Sequence, residues 1–164
     1  YVNTLYVHGI ANFFAQCREA GVDGVILPDV PLEEHAPFDQ AARAEGVHPI
    51  YLVAPTSHER IRRIAQNASG FLYCVSSLGV TGKRSEYATD FDSFFGEIKA
   101  ACTVPYAIGF GISGPEQVRQ MGQYAHGVIV GSAVVELVEQ HGKDAPKPVG
   151  EFVARLAQAA RETE

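Results

Sequence analysis

Pro105-Tyr106-Ala107-Ile108-Gly109-Phe110-Gly111-Ile112-Ser113-Gly114-Pro115-Glu116-Gln117 packs a strand, a turn and a helix start into one stretch. Tyr106–Ile108 is a short apolar run that reads as a buried strand. It stops at Gly109-Phe110-Gly111, where missing β-carbons let a backbone approach a ligand. Ser113 is placed to cap the following helix, and Glu116 three residues on completes a capping box. The same order returns with Val128-Ile129-Val130 as strand and Gly131-Ser132-Ala133 opening a helical run. Helix N-termini expose amides without intrahelical partners, and the dipole adds about 0.3–1 kcal/mol of attraction for an anion. Two such turns in adjacent units predict a phosphate cradle. Glycines serving only tight strand-to-helix turns would leave the same trace; the repetition favours the cradle.

Outward from that stretch, the chain alternates two periods. Ile10, Phe13, Phe14 and Cys17 have helical spacing, and Val25-Ile26-Leu27 is a strand reaching Pro28-Asp29-Val30-Pro31. Glu33 and Glu34 begin the next helix, whose inner face is Phe38, Ala41 and Ala42. Pro49–Val53 is a strand, Thr56-Ser57-His58-Glu59 an N-cap signature, and Ile61, Ile64, Ala65 and Ala68 a helix face. Phe71–Val75 is the third strand, and residues Ser76 to Thr89 form the longest loop, with Lys83 and Arg84 in it. Phe91, Phe94, Phe95 and Ile98 lead back to the glycine stretch, after which Val118 and Met121 face the core. His141–Val149 reads as a polar, proline-bearing connection before a last helix with Phe152, Val153, Leu156 and Ala160 inward.

Five apolar strands separated by helices predict an α/β fold with a parallel sheet covered on both faces. Doubly wound and barrel arrangements both satisfy that pattern. No Gly-x-Gly-x-x-Gly follows the first strand, and the phosphate-type turns sit at the last two strands, where barrels often hold phosphate. The barrel is therefore favoured.

Composition sets the outer bounds. The chain has 164 residues, 46% hydrophobic and 20% charged, enough for one domain with a sizeable core. A formal net charge of −6 argues against nucleic-acid or anionic-membrane binding. No apolar run approaches membrane-spanning length. Cys17, Cys74 and Cys102 are scattered and read as buried free thiols of a reducing, cytoplasmic compartment. No histidine pair has metal-ligand spacing, and no serine sits in a nucleophile elbow. The first residue is Tyr and not Met, so a fragment is expected.

Several stretches together resemble the tryptophan synthase alpha chain family. They are Tyr1-Val2-Asn3, Pro28–Pro31 with Glu33-Glu34, Gly79-Val80-Thr81-Gly82, Gly109–Ser113 with Pro115–Val118, and Gly131-Ser132-Ala133. The ordered set spans the whole chain. The resemblance implies a (β/α)8 TIM barrel, with residues 1–164 as one domain supplying about the last five βα units. Strands 1–2 and most of strand 3 would be absent.

The resemblance also implies roles. Gly82, Phe110, Gly111, Gly131 and Ser132 match phosphate-binding positions for indole-3-glycerol phosphate. Ile26, Leu52 and Tyr73 match the indole pocket, although the residues themselves read as barrel core. Thr81 belongs to a loop that closes over the site, and Asp29 matches a supporting position. The implied reaction is aldol cleavage to indole and glyceraldehyde 3-phosphate, with no metal or cofactor. Its two catalytic carboxylates would lie upstream of Tyr1, so no catalytic residue is assigned here. The implied partner is a tryptophan synthase beta chain, in an alpha2-beta2 tetramer, touching Tyr1–Gly9 and Pro28–His35. A non-catalytic phosphate-ligand-binding partner of a beta chain is the alternative. Another phosphate-binding barrel of tryptophan or histidine biosynthesis fits the Pro-Asp-Val-Pro and Gly-Val-Thr-Gly stretches less well.

Overall fold

Helices α1 (Val2–His8) and α2 (Ile10–Glu19) precede strand β1 (Gly24–Ile26), and from there strand and helix alternate until two helices close the chain. The computed structural model describes residues 1–75, 90–109 and 111–163. After β1 come α3 (Ala36–Ala44), β2 (His48–Val53), α4 (Ile61–Asn67), β3 (Leu72–Val75), α5 (Phe91–Ala101), β4 (Tyr106–Gly109) and α6 (Pro115–Gly122). Then follow β5 (Gly127–Val128), α7 (Ser132–His141) and α8 (Pro146–Arg161). All five strands are parallel and stand side by side in chain order, β1-β2-β3-β4-β5.

Register decides what each sheet face does. Tyr51, Leu72 and Tyr106 form one row, and Val53, Cys74 and Ile108 another on the same face. All six are buried, in one cluster with Ile61, Ile64, Phe94, Phe95 and Ile98 of α4 and α5. Each fully buried Leu, Ile or Phe there contributes about 1.5–3 kcal/mol. The alternate row, Leu52, Tyr73, Ala107 and Gly127, is only half-buried, and Ile26 is 42% exposed. The expected two-sided cover is thus found on one face only. Strands laid in sequence order keep their crossovers on one side when the crossovers share a hand, which is barrel winding and not double winding. A second cluster, with Leu5, Phe14, Leu27, Phe38 and Val47, ties α1, α2 and α3 to the β1 end.

Four local expectations are corrected. Residues 142–161 are helical apart from Ala145, as a short 3-10 turn (Gly142–Asp144) and then α8. Pro146 and Pro148 sit in the first turn of α8, where their missing N–H groups cost nothing. The inward face of α8 is Phe152, Leu156 and Ala159; Val153 and Ala160 are exposed. Before α4 lies a 3-10 turn (Pro55–Arg60), and Ser57 Oγ accepts from the Ala54 N–H at 3.1 Å instead of capping the α-helix. Cys17 and Cys74 are buried free thiols, as expected, whereas Cys102 is half-buried with its thiol donating to the Val104 carbonyl at 3.3 Å.

Candidate functional site

The two glycine turns meet. A cleft of about 320 Å³ at the C-terminal ends of β3–β5 is lined by Tyr73, Gly111, Ile112, Ser113, Ile129, Gly131, Ser132 and Ala133. Gly111 has φ +77°, a left-handed conformation that favours glycine whatever the cleft holds. Gly131 is different. Its φ is −118°, and among the described residues a β-carbon there would meet no atom within 4 Å. Neither backbone strain nor packing against the described residues therefore demands glycine at 131. Ser132 opens α7 with no side-chain cap; the Val134 N–H donates to the Gly131 carbonyl at 2.9 Å, which leaves the Ser132 and Ala133 amides as the donors beside the cleft.

The capping box expected at Ser113 and Glu116 is displaced by one residue. Gly114 is the N-cap of α6 and Pro115 its first residue, which makes Gln117 the third helical position. The Ser113 N–H and hydroxyl donate to Gln117 Oε1 at 2.7 and 3.1 Å, and Gln117 Nε2 donates to the Gly111 carbonyl at 3.4 Å. Gln117 thus shapes the Gly111–Ser113 edge of the cleft. Glu116 turns aside to Arg119, at 3.4 Å.

Ile26, Leu52 and Tyr73 share one sheet face, the half-covered one. Among the described residues they fall to different places. Tyr73 lines the glycine cleft, Leu52 lines a second cleft of about 340 Å³, and Ile26 lines neither. Tyr73 lies over Gly109, where an added β-carbon would collide with its phenol ring. Burial pushes the Tyr73 hydroxyl above its ordinary value, so it stays protonated and can donate.

The second cleft lies at the ends of β1 and β2 and includes Asp29, His35, Tyr51, Leu52, Ser57 and Arg60. Both oxygens of Asp29 accept the Val2 N–H, each at 3.0 Å, which joins the Pro28–Pro31 turn to the start of α1. Beneath that turn is a polar group that sequence reading missed: His35, Asp39 and Tyr51. His35 is 4% exposed and stacks on Tyr51 with ring centroids 4.2 Å apart. The Tyr51 hydroxyl donates to Asp39 Oδ2. Burial first, then the bond to Asp39 and its charge, push the Tyr51 hydroxyl far above its ordinary value. The signal was present in His35 and Asp39, one helical turn apart on a buried face.

Gly82, Thr81 and Phe110 lie outside the described residues. Among the described residues, no group of three or more His, Cys, Asp or Glu side chains could hold a metal ion. Among them, too, no helix is long and apolar enough to cross a membrane.

Comparison with known proteins gives a consistent result. A family model described as tryptophan synthase alpha chain matches residues 1–163. The tryptophan synthase alpha chain of Geobacillus stearothermophilus is 46% identical over 163 residues, covering 98% of this chain and 61% of the relative. That of Geobacillus kaustophilus is 51% identical over 140 residues, covering 85% of this chain and 52% of the relative. The chain thus spans little more than half the length of these curated relatives. Among solved structures, the tryptophan synthase a2b2 complex of Pyrococcus furiosus superposes with a TM-score of 0.84 at 35% identity, over 96% of this chain and 64% of that one. The alpha chain from Legionella pneumophila gives 0.81 at 34% identity, over 99% and 61%. The fold is that of these (β/α)8 barrels, of which the five strands here form about the last five βα units.

Proposed function

This chain belongs to the tryptophan synthase alpha chain family, and we propose that the protein carrying it cleaves indole-3-glycerol phosphate to indole and glyceraldehyde 3-phosphate. The observation that carries the reading is Gly131, a glycine that neither backbone strain nor a neighbour among the described residues requires, at the mouth of a cleft walled by two helix starts. A ligand phosphate is what a β-carbon there would meet. Amides of Gly111, Gly131 and Ser132, with the Ser132 hydroxyl, hold that phosphate, together with Gly82 and Phe110. The half-covered sheet face bearing Ile26, Leu52 and Tyr73 receives the indole.

Cleavage of the carbon–carbon bond needs a proton delivered to indole C3, the ring N–H proton removed, and the glycerol hydroxyl deprotonated. Residues 1–164 anchor and orient the substrate for these steps, and none of them is assigned a proton transfer. Thr81 belongs to the segment that closes over the bound substrate, and Asp29 supports the site from the β1 end. A beta chain is the partner, in an alpha2-beta2 assembly, with Tyr1–Gly9 and Pro28–His35 facing it. The Asp29–Val2 hydrogen bonds support that assignment because they make one surface of the two segments. The protein works in the cytoplasm, in the biosynthesis of L-tryptophan.

The test is indole release from indole-3-glycerol phosphate by the full-length gene product, with and without a beta chain. Release in both cases, faster with the beta chain, is expected. Tight binding without release would favour the alternative, a non-catalytic phosphate-ligand-binding partner that regulates a beta chain.

A further inference from the structure

We propose that His35 is a positioning residue that holds the Pro28–Pro31 turn, and with it Asp29, against the end of the sheet. The inference rests on the reading above for the reaction it serves. Its geometry stands apart from that reading.

The turn is short of its own hydrogen bonds. Pro28 and Pro31 carry no N–H. Backbone bonds beyond it run from the Glu34 N–H to the Pro31 carbonyl at 2.9 Å and from the His35 N–H to the Leu32 carbonyl at 3.3 Å. The Val30 carbonyl is met instead by the His35 ring, with Nε2 at 3.1 Å. A carbonyl has no proton to give, so Nε2 carries the hydrogen and donates. The ring can serve because it is buried and packed in place. It lies flat on Tyr51, at an interplanar angle of 23°, while Nδ1 stands 3.4 Å from Asp39 Oδ1 with no hydrogen bond between them. Asp39 is itself anchored by the Tyr51 hydroxyl on its other oxygen. Tyr51 is 2% exposed and sits on the helix-covered face of β2. The line of contacts therefore runs from the sheet core through the Tyr51 ring and His35 to the Val30 carbonyl, beside the carboxylate that receives the Val2 N–H.

Two substitutions separate positioning from packing. His35→Phe keeps a ring over Tyr51 and loses the donor; His35→Gln keeps an N–H of similar reach and loses the ring. In the full-length gene product, His35→Phe is expected to lower kcat for indole formation about ten- to hundredfold with KM little changed. Exchange of the Glu34 amide should become about three- to tenfold faster. His35→Gln should recover most of both losses. Wild-type kcat in His35→Phe overturns the proposal even if exchange is faster, as does a His35→Gln variant as impaired as His35→Phe. Should His35→Phe not fold, imidazole ¹⁵N–¹H spectra of the unsubstituted protein decide: a slowly exchanging proton on Nε2 supports the assignment, and its absence from Nε2 overturns it. Amide exchange and ring spectra use no substrate, so a wild type that releases no indole defeats the proposed reaction and leaves these two readouts to judge the brace.

Discussion

Gly109→Ala should destabilise this protein through one named neighbour. Gly109 is buried and does not have positive φ, so its backbone would accept alanine. The added carbon, however, would stand 2.8 Å from Tyr73 Cζ and 3.0 Å from Cε1. Ordinary carbon contact is about 3.5–4.0 Å, so the ring must withdraw by at least roughly 0.7 Å. Overpacking of this kind costs about 1–3 kcal/mol, and at about 2–4 °C per kcal/mol the melting temperature should fall several degrees. The distinguishing assay is a double-mutant cycle by urea unfolding of the full-length gene product. Tyr73→Ala removes the obstacle, so Gly109→Ala should cost little in that background, with a coupling energy of about 0.5–3 kcal/mol. Because Tyr73 also lines the glycine cleft, the single variant should bind phosphate ligands more weakly. Additivity within about 0.5 kcal/mol would refute the reasoning.

Other perturbations have equally definite outcomes. Asp90 caps α5, its Oδ1 accepting the Ser93 N–H at 3.0 Å, so Asp90→Ala should cost about 1 kcal/mol in urea unfolding and Asp90→Asn much less. Burial, with Cys102 nearby, pushes the Cys74 thiol above its ordinary value, and burial with Asp39 does the same for the Tyr51 hydroxyl. The unfolded chain therefore loses these protons first as pH rises. Stability is complete below about pH 8.5 and falls above it, by about 1.4 kcal/mol per pH unit for each group engaged. Urea midpoints between about pH 8 and 10 should show that decline, with a shallower slope in Cys74→Ala up to about pH 10, where tyrosine begins to ionise. Residues 1–164 expressed alone should self-associate, since Ile26, Val135 and Val138 are exposed and β1 and β5 are sheet edges; a monomer by light scattering with one sharp unfolding transition would contradict this.

Much of the architecture was legible because strand and helix periods are clear. Val25-Ile26-Leu27, Pro49–Val53 and Tyr106-Ala107-Ile108 each mark the observed strand to within a residue or two. What could not be read was which sheet face stays open, because apolar residues occupy both. Leu52 and Val53 look alike in sequence, yet one is half-buried toward the site and the other is packed under α4. The glycine cleft was legible as two separate turns, and their meeting depended on β4 and β5 pairing through Ala107 and Gly127. Capping went astray where proline intervened: Pro115 moved the third helical position from Glu116 to Gln117, and Pro146 opened a helix where a connection was expected. The His35, Asp39 and Tyr51 group was hidden for a different reason. Polar residues near a helix start look like surface until a neighbouring strand, here β2, brings a partner up to them.

The central claim is that the Gly111 and Gly131 turns form a phosphate cradle. It is tested most directly by titrating a glycerol-phosphate ligand and plain indole against Ser132→Ala and Gly131→Val of the full-length gene product. Ser132→Ala should remove one charge-assisted hydrogen bond, about 1.5–3 kcal/mol, a ten- to hundredfold weaker Kd for the phosphate ligand. Gly131→Val, whose β-carbon meets no atom among the described residues, should fold normally and bind that ligand still more weakly. Indole, which carries no phosphate, should bind both variants nearly as the wild type does. Equal weakening of indole and phosphate ligand by Ser132→Ala would contradict the account and leave these glycines as turn residues only.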